Sequence, residues 1–257
     1  MCGLAGMLIC PGERAEETWA AIRECFTQTL LFNEERGRDA CGVALVRMNG
    51  SVLIFKAPVP AVEMVEMDEY RRVVDAVGPD TTCLLGHTRM PTKGTRWNND
   101  NNHPVLAGHV VGIHNGHIVN DDALFATLSL PRRGEVDSEI IFRLLDTLSP
   151  ASYNDSYLAE AACEVARLEG RFATLSVDLR RPGRLLVLKK DAPLCVHYHD
   201  PWHALCFSSR YLFLRKAFGK SVLTEALDPG RGYLFDAADL PACGKTPLEM
   251  VDVSGDS

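Results

Sequence analysis

Strand-like and helix-like segments fall in blocks along this chain instead of alternating, and that order restricts the folds open to it. Residues 3–10 (GLAGMLIC) are an apolar run with small residues, which predicts a buried strand that Pro11-Gly12 stops. Residues 15–31 place Trp19, Ile22, Cys25, Phe26 and Leu30 at helical spacing, behind acidic residues that suit a first helical turn. Runs at 41–48 and 51–56 meet at Asn49-Gly50, a strong hairpin signal. A helix over about 61–76, a buried strand over 82–88 and a polar loop over 90–104 are expected next. Strand-like segments at 109–114 and 117–119 flank Asn115-Gly116, and helices are expected near 121–128, 137–148 and 155–168. The remainder turns to strands at 171–178, 184–189, 194–199 and 203–207, a short helix near 210–218, and strands near 221–224 and 231–235. Two sheets with helices outside them, an α+β class, fit this order. No linker divides the chain, so one domain over 1–240 with a loosely ordered tail over 241–257 is expected.

Composition excludes several functions. Lys plus Arg number 27 against 34 Asp plus Glu, a net charge of −7, which argues against a nucleic-acid partner. No apolar run approaches the roughly 20 residues that span a bilayer, and no signal peptide stands at the start. The nine cysteines form no C-x-x-C pair and lie mostly in apolar runs, as expected of a reducing, cytoplasmic compartment.

Cys2 is the candidate nucleophile. If Met1 is removed, Cys2 carries a thiol and a free α-amine. That amine, with a pKa of about 8, can act as general base near neutrality. Taken alone, the residue reads as a small apolar side chain at the start of a strand. Four further segments change its meaning: Arg36-Gly37-Arg38-Asp39, Gly86-His87-Thr88-Arg89-Met90-Pro91-Thr92, Asn102-His103-Pro104 leading to His114-Asn115-Gly116-His117, and Val136-Asp137-Ser138-Glu139. In this order, with cysteine second, the set resembles the class II glutamine amidotransferases, which are N-terminal nucleophile hydrolases. The likeness runs over residues 2–145 and, more weakly, to about 236.

The resemblance implies a four-layer αββα sandwich of two mainly antiparallel sheets between helices. It implies that Cys2 attacks the side-chain amide of glutamine, releasing ammonia through a γ-glutamyl thioester. It gives Asn115 and Gly116 the oxyanion, Arg89 the substrate carboxylate, Asp137 the ammonium and Thr92 a further substrate contact. Arg36 and Gly37 would shape the nucleophile pocket, and His114 stands with them as a substrate-site residue. No cofactor and no metal are implied. By itself Asn115-Gly116 reads as a hairpin turn, and Asp137 as a helix N-cap.

Met90 and Lys93 depart from the family pattern, which has an aromatic residue or a histidine at these positions in many relatives. Trp97 is a candidate for the missing lid contact. His197, His199 and His203 read as strand histidines ahead of a metal site. The chain has no P-loop, sugar isomerase-like or phosphoribosyl-binding stretch. The expectation is therefore a glutaminase subunit that passes ammonia to a separate synthase, with homo-oligomerisation left open. The alternatives are hydrolysis of another amide, or a catalytically inactive glutamine-binding regulator.

Overall fold

A computed structural model describes residues 1–148, 156–219 and 221–254. The strands are β1 (Gly3–Ile9), β2 (Ala40–Arg47), β3 (Val52–Ala57), β4 (Thr81–Arg89), β5 (Val105–Ala107), β6 (Val110–Ile118), β7 (Gly170–Asp178), β8 (Arg184–Lys190), β9 (Cys195–His199), β10 (Ala204–Ser208), β11 (Glu225–Ala226), β12 (Arg231–Asp236) and β13 (Glu249–Asp252). The helices are α1 (Glu16–Asn33), α2 (Ala61–Met64), α3 (Asp68–Asp75), α4 (Asp121–Leu128), α5 (Glu139–Asp146), α6 (Tyr157–Val165), α7 (Tyr211–Ala217) and α8 (Leu240–Cys243).

The strands form two antiparallel sheets, ordered β11-β9-β10-β1-β4-β2-β3 and β13-β12-β8-β7-β6-β5. Three apolar clusters define the layers. Leu4, Leu8, Leu85, Val111, Ile113 and Leu175 fill the space between the sheets. Met7, Ile22, Phe26, Leu30 and Met64 pack the first sheet against α1 to α3. Ile118, Ile141, Phe142, Leu158 and Leu188 pack the second against α5 and α6. This is the expected αββα sandwich. Gly6 sits where a Cβ would overlap Leu175 of the opposing sheet, so a glycine lets the two sheets approach.

Several local expectations need correction. The segment 61–76 is two helices, because Met67 is extended and Asp68 and Glu69 open a new first turn. Asn115-Gly116 is no hairpin: β6 runs straight through it, paired with β7 from Val110↔Asp178 to Ile118↔Gly170. The strand expected at 221–224 is β11 at 225–226. Part of the expected loose tail is ordered. β13 pairs with β12, and Val253 is buried in the helix-side core. The first residue expected in the 155–168 helix and the last three of the tail lie outside the described residues.

Candidate active site

Strand alternation assembles the site. In β1 the even-numbered side chains Leu4 and Leu8 face the second sheet, whereas Met7 and Ile9 face α1. In β4 the odd-numbered Cys83 and Leu85 face the second sheet. The register Gly3↔Thr88 and Leu4↔His87 then puts Cys2, His87 and Arg89 on one surface. Val111 and Ile113 of β6 face that surface from the other sheet, and Asn115 shares their side of the strand.

Cys2, Arg89, Thr92, His114, Gly116 and Asp137 line one cavity, joined by Met90, Lys93, His103 and Ser138. Its volume is ≈ 20 Å³, room for about one water. Glutamine could enter only if the 90–94 loop moved. That loop lies over the thiol: Met90 N–H donates to Cys2 Sγ at 3.4 Å, and Sγ lies 3.5 Å from the Met90 carbonyl. The Met1 ammonium reaches Met90 Sδ at 2.9 Å. With Met1 attached, the basic amine therefore sits on the lid, one residue away from the nucleophile. Burial raises the Cys2 thiol pKa, while the Met90 N–H, the chain-terminal ammonium and Arg89 oppose the rise. The thiol needs a local base to ionise.

Arg36 and Gly37 act from behind. Arg36 Nε donates to the Cys2 carbonyl at 2.8 Å, which fixes the backbone of the candidate nucleophile. Gly37 packs against the Arg89–Met90 backbone so closely that any Cβ would overlap it. Arg89 is buried, with Nη1 donating to Asn102 Oδ1 at 2.9 Å and Nη2 to the carbonyls of Lys93 (2.7 Å) and Gly94 (2.9 Å). In this closed arrangement the guanidinium holds the loop. Asp137 Oδ2 accepts from Ile118 N–H at 2.7 Å and lies 3.3 Å from His117 Nδ1. Its carboxylate does not cap α5, whose N-cap is Ser138.

Asn115 does not line the cavity, but its amide is buried and has no hydrogen-bond partner among the described residues. Gly116 has φ +148°, and a Cβ there would overlap the Arg171 carbonyl on β7. Only glycine fits this point of the strand. His114 Nδ1 lies 2.6 Å from Ser138 Oγ. Burial holds His87, His103 and His114 below the usual histidine pKa, His87 at about 3. All three are neutral at pH 7.

No protein-family model matches the chain. Glutamine–fructose-6-phosphate aminotransferase (isomerizing) of Aliivibrio fischeri is 28% identical over 202 residues, which cover 76% of this chain and 30% of that protein. The 7-cyano-7-deazaguanine synthase of Saccharolobus solfataricus is 27% identical over 217 residues, 81% of this chain and 43% of that protein. The chain thus spans less than half the length of these relatives. Among solved structures, the glutamine phosphoribosylpyrophosphate amidotransferase from B. subtilis superposes with a TM-score of 0.71 at 16% identity, over 98% of this chain and 49% of that one.

These likenesses agree with the resemblance to the class II glutamine amidotransferases read from the sequence. The lid differs from expectation at Trp97, which is absent from the cavity wall. Trp97 is exposed and lies under the Arg96 guanidinium at 4.6 Å, while Met90 covers Cys2. His197 meets Phe218 edge-on, His199 packs on Trp202 and stacks on Phe218, and His203 Nδ1 meets Tyr198 OH at 3.2 Å. Among the described residues no group of three or more His, Cys, Asp or Glu is placed to hold a metal. All nine cysteines are free, and no described helix is long and apolar enough to cross a membrane. Sequence reasoning gave no site role to His87, His103, His117 or Ser138. All four stand inside the quoted motifs, but their use depends on distances between sheets that no motif carries.

Proposed function

We propose that this chain hydrolyses the side-chain amide of glutamine in a reducing, cytoplasmic compartment and passes the ammonia to a synthase. The observation that carries this reading is the meeting of Cys2, Arg89, Asp137 and Gly116 at one cavity. Once Met1 is removed, the Cys2 α-amine takes the thiol proton as sulfur attacks the amide carbon. The oxyanion is stabilised by the Asn115 amide and the Gly116 N–H. The C–N bond breaks, the amine returns the proton, and ammonia leaves a γ-glutamyl thioester. Water then releases glutamate and restores the thiol. Arg89, freed from the Lys93 and Gly94 carbonyls when the loop opens, pairs with the substrate carboxylate through its planar fork. Asp137 receives the ammonium. The two opposite charges favour an amino-acid head group over other amides. The named relatives transfer nitrogen to unlike acceptors, so the shared segment supports the ammonia-releasing half-reaction and leaves the acceptor to the partner.

The test is glutamate release from glutamine by Met1-free protein, confirmed by mass at the N-terminus. Cys2→Ala should lower turnover by more than about 10³-fold without lowering thermal stability. A diazoketone analogue of glutamine should add one label, on Cys2. Turnover that survives Cys2→Ala, or labelling elsewhere, defeats the proposal. Glutamine binding without turnover would favour the regulatory reading.

A further inference from the structure

His87 lies on β4 in the nucleophile sheet, fully buried, and its side chain faces the second sheet. Its Nε2 lies 3.0 Å from the main-chain carbonyl of His114 on β6. A carbonyl only accepts, so Nε2 carries the proton and donates. This bond crosses from one sheet to the other. β5 pairs with β6 over Val110 to Gly112, so, among the described residues, 113–118 have no strand neighbour on that side. The carbonyl that His87 holds belongs to the peptide linking His114 to Asn115, immediately before the proposed oxyanion pair. The His103 ring stacks on His87 at 4.2 Å and 26°, which fixes the plane of the donor. The His114 side chain is tied in turn to Ser138, next to Asp137.

We propose that His87 is a positioning residue: its Nε2–H bond to the His114 carbonyl sets the spacing between Cys2 on one sheet and the Asn115–Gly116 oxyanion donors on the other. This inference rests on the glutaminase reading above. Oxyanion donors act at 2.7–3.1 Å, and the transition state is sensitive to sub-ångström misplacement of them. Ground-state binding by Arg89 and Asp137 uses other atoms and does not depend on this bond. His87 therefore serves the reacting centre selectively, through backbone geometry.

Gln and Met are close in size, and only Gln can donate in place of the imidazole. His87→Met should lower kcat by about 100-fold with KM within about threefold, and His87→Gln should recover at least about tenfold of the loss. Glutamate γ-semialdehyde separates the two states of the site. The Cys2 thiol adds across its aldehyde, forming a C–S bond and moving the thiol proton to the former carbonyl oxygen, which then occupies the oxyanion position. Its affinity should fall with kcat in His87→Met, while glutamate affinity stays within about threefold. Equal losses for both ligands, a change in KM alone, or an unchanged kcat would overturn the proposal. Should His87→Met fail to fold, the wild type still decides. Nitrogen NMR should show His87 protonated on Nε2 and scalar-coupled to the His114 carbonyl carbon, and protonation on Nδ1 overturns the proposal. A wild-type enzyme that neither hydrolyses glutamine nor binds the semialdehyde defeats the glutaminase reading instead, whatever the NMR shows.

Discussion

Cys2, His87, Arg89 and Gly116 stand on or beside strands whose registers run through continuous ladders, whereas beyond Met90 the lid to Gly94 is held, among the described residues, by hydrogen bonds from side chains. In the strand-built half, backbone meets backbone. Gly37 lies on Arg89–Met90, and Gly116 lies on Arg171. In the lid, Lys93 grips Asp121 and Asp122, and Arg89 grips two carbonyls. The proposed reacting groups thus rest on parts that cannot shift without breaking a sheet. Access rests on contacts that can break singly, as lids that open on each turnover require.

The sharpest way to break this contrast is Gly116→Ala. Its φ of +148° is strained for any side chain, and the methyl would displace the Arg171 carbonyl of β7. A cost of ~2 kcal/mol follows from the strained backbone alone, a drop in melting temperature of about 4–8 °C for a domain of this size, with loss of turnover. Gly94→Ala also has positive φ, but of +77°, and the nearest atoms to its methyl belong to the Asn101 side chain instead of backbone. It should cost less than half as much. Gly78→Ala, where nothing lies within 4 Å, should be near neutral. Equal losses at Gly116 and Gly94 would erase the distinction between the halves.

Much of the strand-built half was legible in the sequence, because its motifs are contiguous and alternation fixes their facing. Cys2 and Arg89 emerge together once 3–10 and 82–88 are read as neighbouring strands. The continuity of β6 through Asn115-Gly116 was not legible. A positive-φ glycine looks the same in a turn as in a strand, and only the β7 partner distinguishes them. The same holds for β13, a strand by virtue of its pairing with β12. The helix break at Met67 and the His87–His103 stack likewise depend on tertiary neighbours.

Acid probes the strand-built half next. His87, His103 and His114 are neutral in the folded protein, while in the unfolded chain each titrates near 6.5. Arg89 and Lys56 face the cluster and oppose its protonation, and Asp137 favours it at His114. Below pH 6.5 the unfolded chain binds protons that the fold excludes. Stability is therefore full above 6.5 and declines toward the folded value, about 3 for His87, by up to about 1.4 kcal/mol per pH unit for each histidine. Melting curves at pH 7, 6 and 5 should show this decline before most carboxylates titrate, and His87→Gln should lessen its slope. A flat profile between pH 7 and 5 would mean that the cluster hydrates or moves, and that this half is no more rigid than the lid.

The smallest effect belongs to the latch. Lys93 Nζ bonds Asp121 Oδ2 at 2.7 Å and Asp122 at 2.8 Å, and Arg132 shares both carboxylates. Asp121 and Asp122 open α4, shortly after β6, so the latch ties the lid to the segment that follows the proposed oxyanion pair. The closed cavity excludes glutamine, so each closure over an empty site competes with entry. Removing the latch should then speed capture. Asp122 is exposed, and the buried Asp121 keeps Arg132 as a partner when Lys93 is removed, so the latch shifts such an equilibrium by at most about fivefold, and Lys93→Met should raise the rate of Cys2 alkylation by a glutamine-like diazoketone about two- to fivefold. Raising salt screens the wild-type latch and should accelerate its alkylation relative to the variant. The step after capture is left alone, because the Arg89 bond to residue 93 uses the backbone carbonyl, which methionine keeps. A slower Lys93→Met, or a salt response equal to that of the wild type, would mean that the lid is held by Arg89 and Met90 instead, and that the two halves of the site open as one.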